Sequence, residues 1–203
     1  MTTSISPQTI IFIGPQGSGK GTQIQKLDSV LREIDGKNRV VDFQTGRRFR
    51  ALAAKGEGYT ERHIKETLDT GVLQPLFLSV VLWGDAMREH LDPHCHALID
   101  GFPRTSDEAS ILESALAFFK REEVSIINLN TPEEVVRERM LERARPDDTN
   151  ESIEERLRWY REETLPVIAY YRSRPQTNVH DIDGTDTIDG VHAQIIKELN
   201  LNE

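Results

Sequence analysis

The chain has 203 residues, with 25 Lys and Arg against 34 Asp and Glu and a formal charge of -9. That excess of acid excludes a general nucleic-acid binder, which needs surplus cations to displace counterions from phosphates, but leaves room for a small anion held by local positive charge. The single cysteine, Cys95, excludes an internal disulfide and a cysteine-built zinc site, and fits a reducing compartment. Met1 to Pro7 carries no basic residue, and the apolar run behind it is too short for a signal peptide or membrane span. A cytoplasmic protein with no membrane partner is therefore expected, and without repeats or long linkers it should form one domain over 1–203.

In chain order, Thr9–Ile13 is an apolar, β-branched run that reads as a first strand. It leads into Gly14-Pro15-Gln16-Gly17-Ser18-Gly19-Lys20-Gly21-Thr22-Gln23, a glycine-rich turn followed by a helical pattern. Such a turn lets consecutive N–H groups face phosphate oxygens, Lys20 can reach the outer phosphates, and the helix offers its positive end to the same anion. The stretch matches G-x-x-x-x-G-K-[ST] except that Gly21 follows the lysine and the hydroxyl arrives one residue late, at Thr22. A second strand is expected at Arg39–Phe43, followed by Gln44-Thr45-Gly46 and the arginines Arg47, Arg48 and Arg50. Helices are expected at Gly46–Lys55, Thr60–Thr70 and Pro75–His90; this is long for one crossover and points to an inserted substrate-binding subdomain.

Ala97–Asp100 reads as the third strand and runs into Gly101-Phe102-Pro103-Arg104-Thr105. An aspartate facing a triphosphate can hold magnesium through its water shell, and Arg104 offers a planar fork to a phosphate. Thr105-Ser106-Asp107-Glu108 has the capping-box pattern, in which Glu108 either satisfies the N–H of Thr105 or faces a ligand. After a fourth strand at Val124–Leu129, Thr131-Pro132-Glu133-Glu134 opens a helix with Thr131 as N-cap, and Arg139 and Arg143 lie on one face of it. Arg145 follows at the break before Pro146, and Asp148 with Glu151 opens the next helix toward Tyr171, which carries Arg156. Guanidinium groups gathered over one point suit a transferring phosphoryl group, whose charge is spread over its equatorial oxygens. Asn178–Ile182 is a fifth strand, with a turn at Asp183-Gly184-Thr185; the histidines beside Cys95 read as packing. This alternation predicts an α/β fold, a doubly wound five-stranded parallel sheet that binds its ligand at the carboxyl ends of the strands.

The glycine loop with its GKGTQ ending, the T-G-x-x-x-R element at Thr45 to Arg50, DGFPR from Asp100, and R-x-x-x-R-x-R-x-D-D from Arg139 occur in the order found in nucleoside monophosphate kinases. The chain resembles adenylate kinase above all, in its short-lid form, from Ile10 to about Leu199. That resemblance implies a P-loop kinase with core 1–43, 92–138 and 157–203, a helical acceptor-binding insertion at about 44–91 and a short lid at about 139–156. It implies reversible, magnesium-dependent phosphoryl transfer from ATP to a nucleoside monophosphate, AMP first, by a monomer without structural zinc. Under it Gly17, Ser18, Gly19, Lys20, Gly21 and Thr22 bind ATP phosphates, while Arg139 and Gly184 contact the donor base. Thr45, Gly46, Arg50, Leu73, Gln74, Gly101, Arg104 and Glu108 bind the acceptor, joined by Arg145 and Arg156. Lys20, Arg104, Arg143, Arg145 and Arg156 are implied as catalytic, and Asp100 holds magnesium through water.

Two residues depart from the family pattern. Arg47 stands where an aspartate commonly helps order the magnesium waters, and Glu108 stands where AMP-specific members carry glutamine. A carboxylate only accepts hydrogen bonds, which suits the two adjacent donors of guanine. A kinase of another monophosphate such as GMP, or a nucleotide-binding regulator without catalysis, are the alternatives.

Overall fold

Strands β1 (Thr9–Ile13), β2 (Val40–Gln44), β3 (His96–Asp100), β4 (Val124–Asn130) and β5 (Thr177–Asp183) form one parallel sheet in the order β2-β3-β1-β4-β5. This computed structural model describes residues 5–36, 38–121 and 123–201; the outermost residues of the expected core, 1–4 and 202–203, lie outside that set. Side chains alternate between the faces of the sheet. Ile10 and Phe12 of β1 pack with Ile24, Leu27 and Leu31 of α1 (Lys20–Ile34) on one side. Ile11 and Ile13 point the other way, into a cluster with Trp83, Leu112 and Tyr171. Each such fully buried aliphatic side chain contributes about 1.5–3 kcal/mol relative to exposure, so the sheet is fixed from both faces.

Between β2 and β3 lie α2 (Thr45–Lys55), α3 (Tyr59–Asp69) and α4 (Leu76–His90), and α5 (Ser106–Phe118) connects β3 to β4. Then follow α6 (Glu133–Arg143), α7 (Asn150–Trp159), a π-helical turn at Tyr160–Thr164, α8 (Leu165–Arg172) and, after β5, α9 (Ile188–Glu198). Val136 and Met140 of α6 pack with Ile153 and Leu157 of α7 in a small apolar cluster of their own. The chain leaves β1 toward β2 on one side, while β3 crosses past β1 to reach β4 on the other. Connections diverge at that point, so a crevice opens at the carboxyl ends of β1 and β3. The register, Phe12 and Gln44 both opposite Asp100, levels three strand ends along that crevice.

Three local expectations are corrected. Thr131 is not an N-cap: α6 starts at Glu133 with Pro132 in extended geometry before it, and the buried Thr131 hydroxyl has no hydrogen-bond partner among the described residues. The box that opens α7 is Thr149 with Ser152, because the Asp148 carboxylate is taken by Arg143 and Arg156. The helix does not run unbroken to Tyr171; the π turn interrupts it just before Pro166, whose ring supplies no N–H for an i to i-4 bond. His96 packs as expected, fully buried, accepting the Gln8 N–H at Nδ1 with Nε2 3.3 Å from Asp35. Among the described residues no helix is long and apolar enough to cross a membrane.

Candidate active site

A cleft of about 600 Å³ lies over the carboxyl ends of β1, β2 and β3. The glycine loop after β1 forms its floor. Gly17 holds φ at 93°, and a Cβ there would sit 2.8 Å from the Val136 carbonyl oxygen, so the loop passes beneath α6 only with glycine at this position. α1 begins at Lys20 without a side-chain cap or an acidic residue in its first turn, which leaves early amides and the positive helix end to an anion. Lys20 Nζ donates to the carbonyls of Gly14 and Pro15, each at 2.8 Å. Burial pushes the ammonium down to about 8, with the charge of Asp100 opposing the fall and those of Arg104 and Arg143 adding to it. A phosphate would supply the counter-charge the loop carbonyls provide only in part.

Thr45 opens α2 and donates its hydroxyl to the Gly101 carbonyl at 2.9 Å, fastening the second strand end to the third. Gly101 holds φ at 87°, and a Cβ there would lie 2.6 Å from that hydroxyl. Arg104 folds back so that Nε donates to Gly101 O at 2.8 Å, and its guanidinium lies 5.1 Å over the Trp159 ring. Such stacking fixes the plane of the fork. Beside the cleft, a cavity of about 70 Å³ is lined by Phe49, Leu73, Gln74, Gly101, Arg104 and Glu108 among others. The Gln74 amide is held by the Thr67 hydroxyl at 2.8 Å.

The wall opposite is cationic. Arg50, Arg104, Arg139, Arg143, Arg145 and Arg156 all line the cleft. Burial lowers the pKa of Arg50, and Arg143, Arg104 and Arg156 lower it further against the pull of Asp147. Arg145 is lowered in the same way, by burial and then by Arg143 and Arg50. Guanidinium groups that depress one another face a common point, which is a site for concentrated negative charge. Two aspartates keep part of this charge neutral: Arg143 makes a bidentate pair with Asp148 at 2.9 Å, and Arg156, 4% exposed, spans Asp147 at 2.6 Å and Asp148 at 2.8 Å. Arg156 also reaches the Leu68 carbonyl at 3.3 Å, tying α7 to the end of α3. At the far end Arg139 donates to the Gly184 carbonyl at 2.9 Å, which brings the turn after β5 under α6.

The Asp100 carboxylate and the Thr22 hydroxyl line the cleft, and neither makes a side-chain hydrogen bond to another described residue. A half-buried carboxylate beside a lysine and a free hydroxyl form an oxygen donor set that fits magnesium, which takes few protein ligands and keeps several waters. Among the described residues no group of three or more His, Cys, Asp and Glu is placed to hold a metal on its own.

A loop of this geometry on the first strand of a 2-3-1-4-5 sheet, an Asp-Gly-Phe-Pro-Arg turn on the third and an arginine wall opposite make a phosphoryl-transfer cleft, and comparison names the family. Residues 12–176 match the sequence profile described as adenylate kinase. The chain belongs to the adenylate kinase family. An adenylate kinase of Corynebacterium urealyticum is 36% identical over 184 residues, covering 90% of this chain and 93% of the relative. Adenylate kinase 1 of Schistosoma mansoni is 34% identical, with 95% and 92% covered, and an adenylate kinase of Thermus thermophilus 33%, with 96% and 98% covered. The chain is thus a nucleoside monophosphate kinase of the adenylate kinase family, whose members use Mg-ATP and bind a nucleoside monophosphate beside it.

Of the residues implied by sequence, the loop from Gly17 to Thr22, with Gly46, Arg50, Gln74, Asp100, Gly101, Arg104, Arg139, Arg143, Arg145, Arg156 and Gly184, all line the cleft. Leu73 and Glu108 line the adjoining cavity instead, and Thr45 lies buried between the strand ends. Arg47, which stands where the family commonly has an aspartate, also lines the cleft and is exposed. Trp159, Ser79 and Trp83 were missed. Ser79 and Trp83 lie four apart in an otherwise apolar helical run, and that spacing is the signal that marks both as facing one partner.

Proposed function

We propose that this member of the adenylate kinase family transfers the γ-phosphoryl group of Mg-ATP reversibly to AMP, giving two ADP. The observation that carries the reading is the convergence of Lys20 and seven arginines on a single cleft, with a small side cavity at one end and the Arg139–Gly184 contact at the other. Two nucleotide bases separated by a phosphate-binding middle fit that layout. The name of the relatives, adenylate kinase, supports AMP as the acceptor.

Lys20 and the loop amides hold the donor phosphates, Arg50 and Arg104 hold the acceptor phosphate, and Arg143, Arg145 and Arg156 stabilise the moving group. An acceptor phosphate oxygen forms the new bond to the γ-phosphorus while the bond to the β,γ-bridging oxygen breaks, and both electrons of that bond leave with ADP. No enzyme group is phosphorylated. Catalysis on this account is positioning and electrostatics, with water excluded when the lid closes. Bound magnesium, held through water by Asp100 and near Thr22, would neutralise phosphate charge. The test is a coupled assay of ADP formation from ATP and AMP. Turnover lost on chelation and restored by magnesium supports the reading, and ATP binding without any ADP production contradicts it.

A further inference from the structure

Glu108 is 2% exposed, yet it carries a carboxylate into the wall of the acceptor-side cavity. Its Oε1 accepts from the Ser79 hydroxyl at 2.6 Å and from Trp83 Nε1 at 3.0 Å, and its Oε2 accepts from the Arg104 amide at 2.7 Å. The capping-box role is therefore only half present: Glu108 N donates to Thr105 Oγ1, but the carboxylate turns inward toward α4. A carboxylate offers about four acceptor positions. Both positions on Oε1 and one of those on Oε2 are filled by the protein, which leaves one, on Oε2.

The geometry points to Ser79 and Trp83 as positioning residues that set acceptor-base selection through Glu108. With Oε1 occupied, the carboxylate cannot take two adjacent donors side by side, as the guanine edge would require. It can take one donor, such as the amino group of adenine. Ser79 and Trp83 thus convert a residue suited to guanine into a single-acceptor reader. The inference rests on the AMP reading above and deepens it. The same contacts disfavour glutamine here. With its amide nitrogen toward Arg104 it meets the backbone N–H, and flipped it meets the Trp83 N–H, so either orientation sets donor against donor.

Kinetics with AMP and GMP as acceptors test this in the wild type, Ser79→Ala, Trp83→Phe and the double variant. Phe at 83 removes the N–H and keeps an aromatic ring against Phe102, whose ring lies 5.2 Å from that of Trp83 at 2°. The wild type should favour AMP, and freeing Oε1 in the double variant should raise the GMP-to-AMP ratio of kcat/KM about tenfold or more. A wild type that prefers GMP overturns both the acceptor reading and the inference. A wild type that prefers AMP, with a ratio unchanged in the double variant, overturns only the role of Ser79 and Trp83. A second measurement holds even where the double variant folds poorly: Glu108→Gln should lower the thermal midpoint, and Trp83→Phe added to it should recover part of the loss. Strict additivity of the two losses contradicts the network.

Discussion

On the proposed reading, Lys20 trades stability for binding. Its ammonium sits against loop carbonyls with no bonded carboxylate, and burial holds it near 8 where an ordinary lysine titrates at 10.5. Because the folded value is the lower one, the unfolded chain binds more protons between about pH 8 and 10.5, so stability contributed by this group rises with pH across that window and is least below it. On the same reading ATP binding has the opposite dependence, since phosphates need the charged form. Calorimetry in buffers of different ionisation enthalpy should show proton uptake on ATP binding near pH 8.5, absent in Lys20→Ala; equal uptake in both would assign the proton elsewhere. Lys20→Ala should also lower turnover by roughly two or more orders of magnitude while thermal stability at neutral pH stays at or above wild type. Lys20, Asp100 and Arg104 were legible from sequence because each lies in a contiguous motif whose chemistry is local. The hydrogen-bond partners of Glu108 were not, because Ser79 and Glu108 are 29 residues apart and meet only once α4 packs on α5.

At the scale of elements, the segment proposed as a short lid is an ion-pair assembly built on α6 and α7. The side chains of Arg156 and Asp148 are 4% and 0% exposed. Breaking a buried pair leaves an uncompensated charge, so Arg156→Ala should destabilise by about 3–5 kcal/mol in urea unfolding, and a loss under 1 kcal/mol would show the aspartates to be solvated. Burial raises the Asp148 carboxyl, but Arg143 and then Arg156 and the Arg145 amide outweigh it and hold it below the ordinary value. A depressed folded value means its contribution is complete above the unfolded pKa and is lost as pH falls through the folded one, so this brace weakens only in acid. The loop beneath α6 is equally intolerant: Gly17→Ala combines a left-handed backbone with a 2.8 Å approach to Val136 O. That variant should lose about 1–3 kcal/mol of stability and bind ATP more weakly; wild-type values for both would refute the close packing. Arginine spacing along α6 and α7 was readable as helical periodicity, whereas the Thr149 cap was not. The sequence pattern assigns the opening to Asp148 with Glu151, and only the fold shows that two arginines have claimed that carboxylate.

Across the whole molecule, five β-branched runs alternating with helices predicted a parallel sheet, and the observed sheet is parallel with the divergence of connections beside β1. Periodicity carries that much because the three central strands, β1, β3 and β4, are buried on both faces and read as near-continuous apolar runs. It does not carry the strand order, nor the contacts that bring α7 to the end of α3 and the turn after it, namely Trp159 Nε1 to Gly71 O at 3.0 Å and Arg156 to Leu68 O. Those contacts join segments 88 residues apart. The central claim, a kinase of the adenylate kinase family whose acceptor is AMP, is tested most directly by initial rates of ADP formation from Mg-ATP with AMP, GMP, CMP and UMP in parallel. The account predicts kcat/KM for AMP at least about a hundredfold above GMP. A rate with GMP equal to or above that with AMP would contradict it.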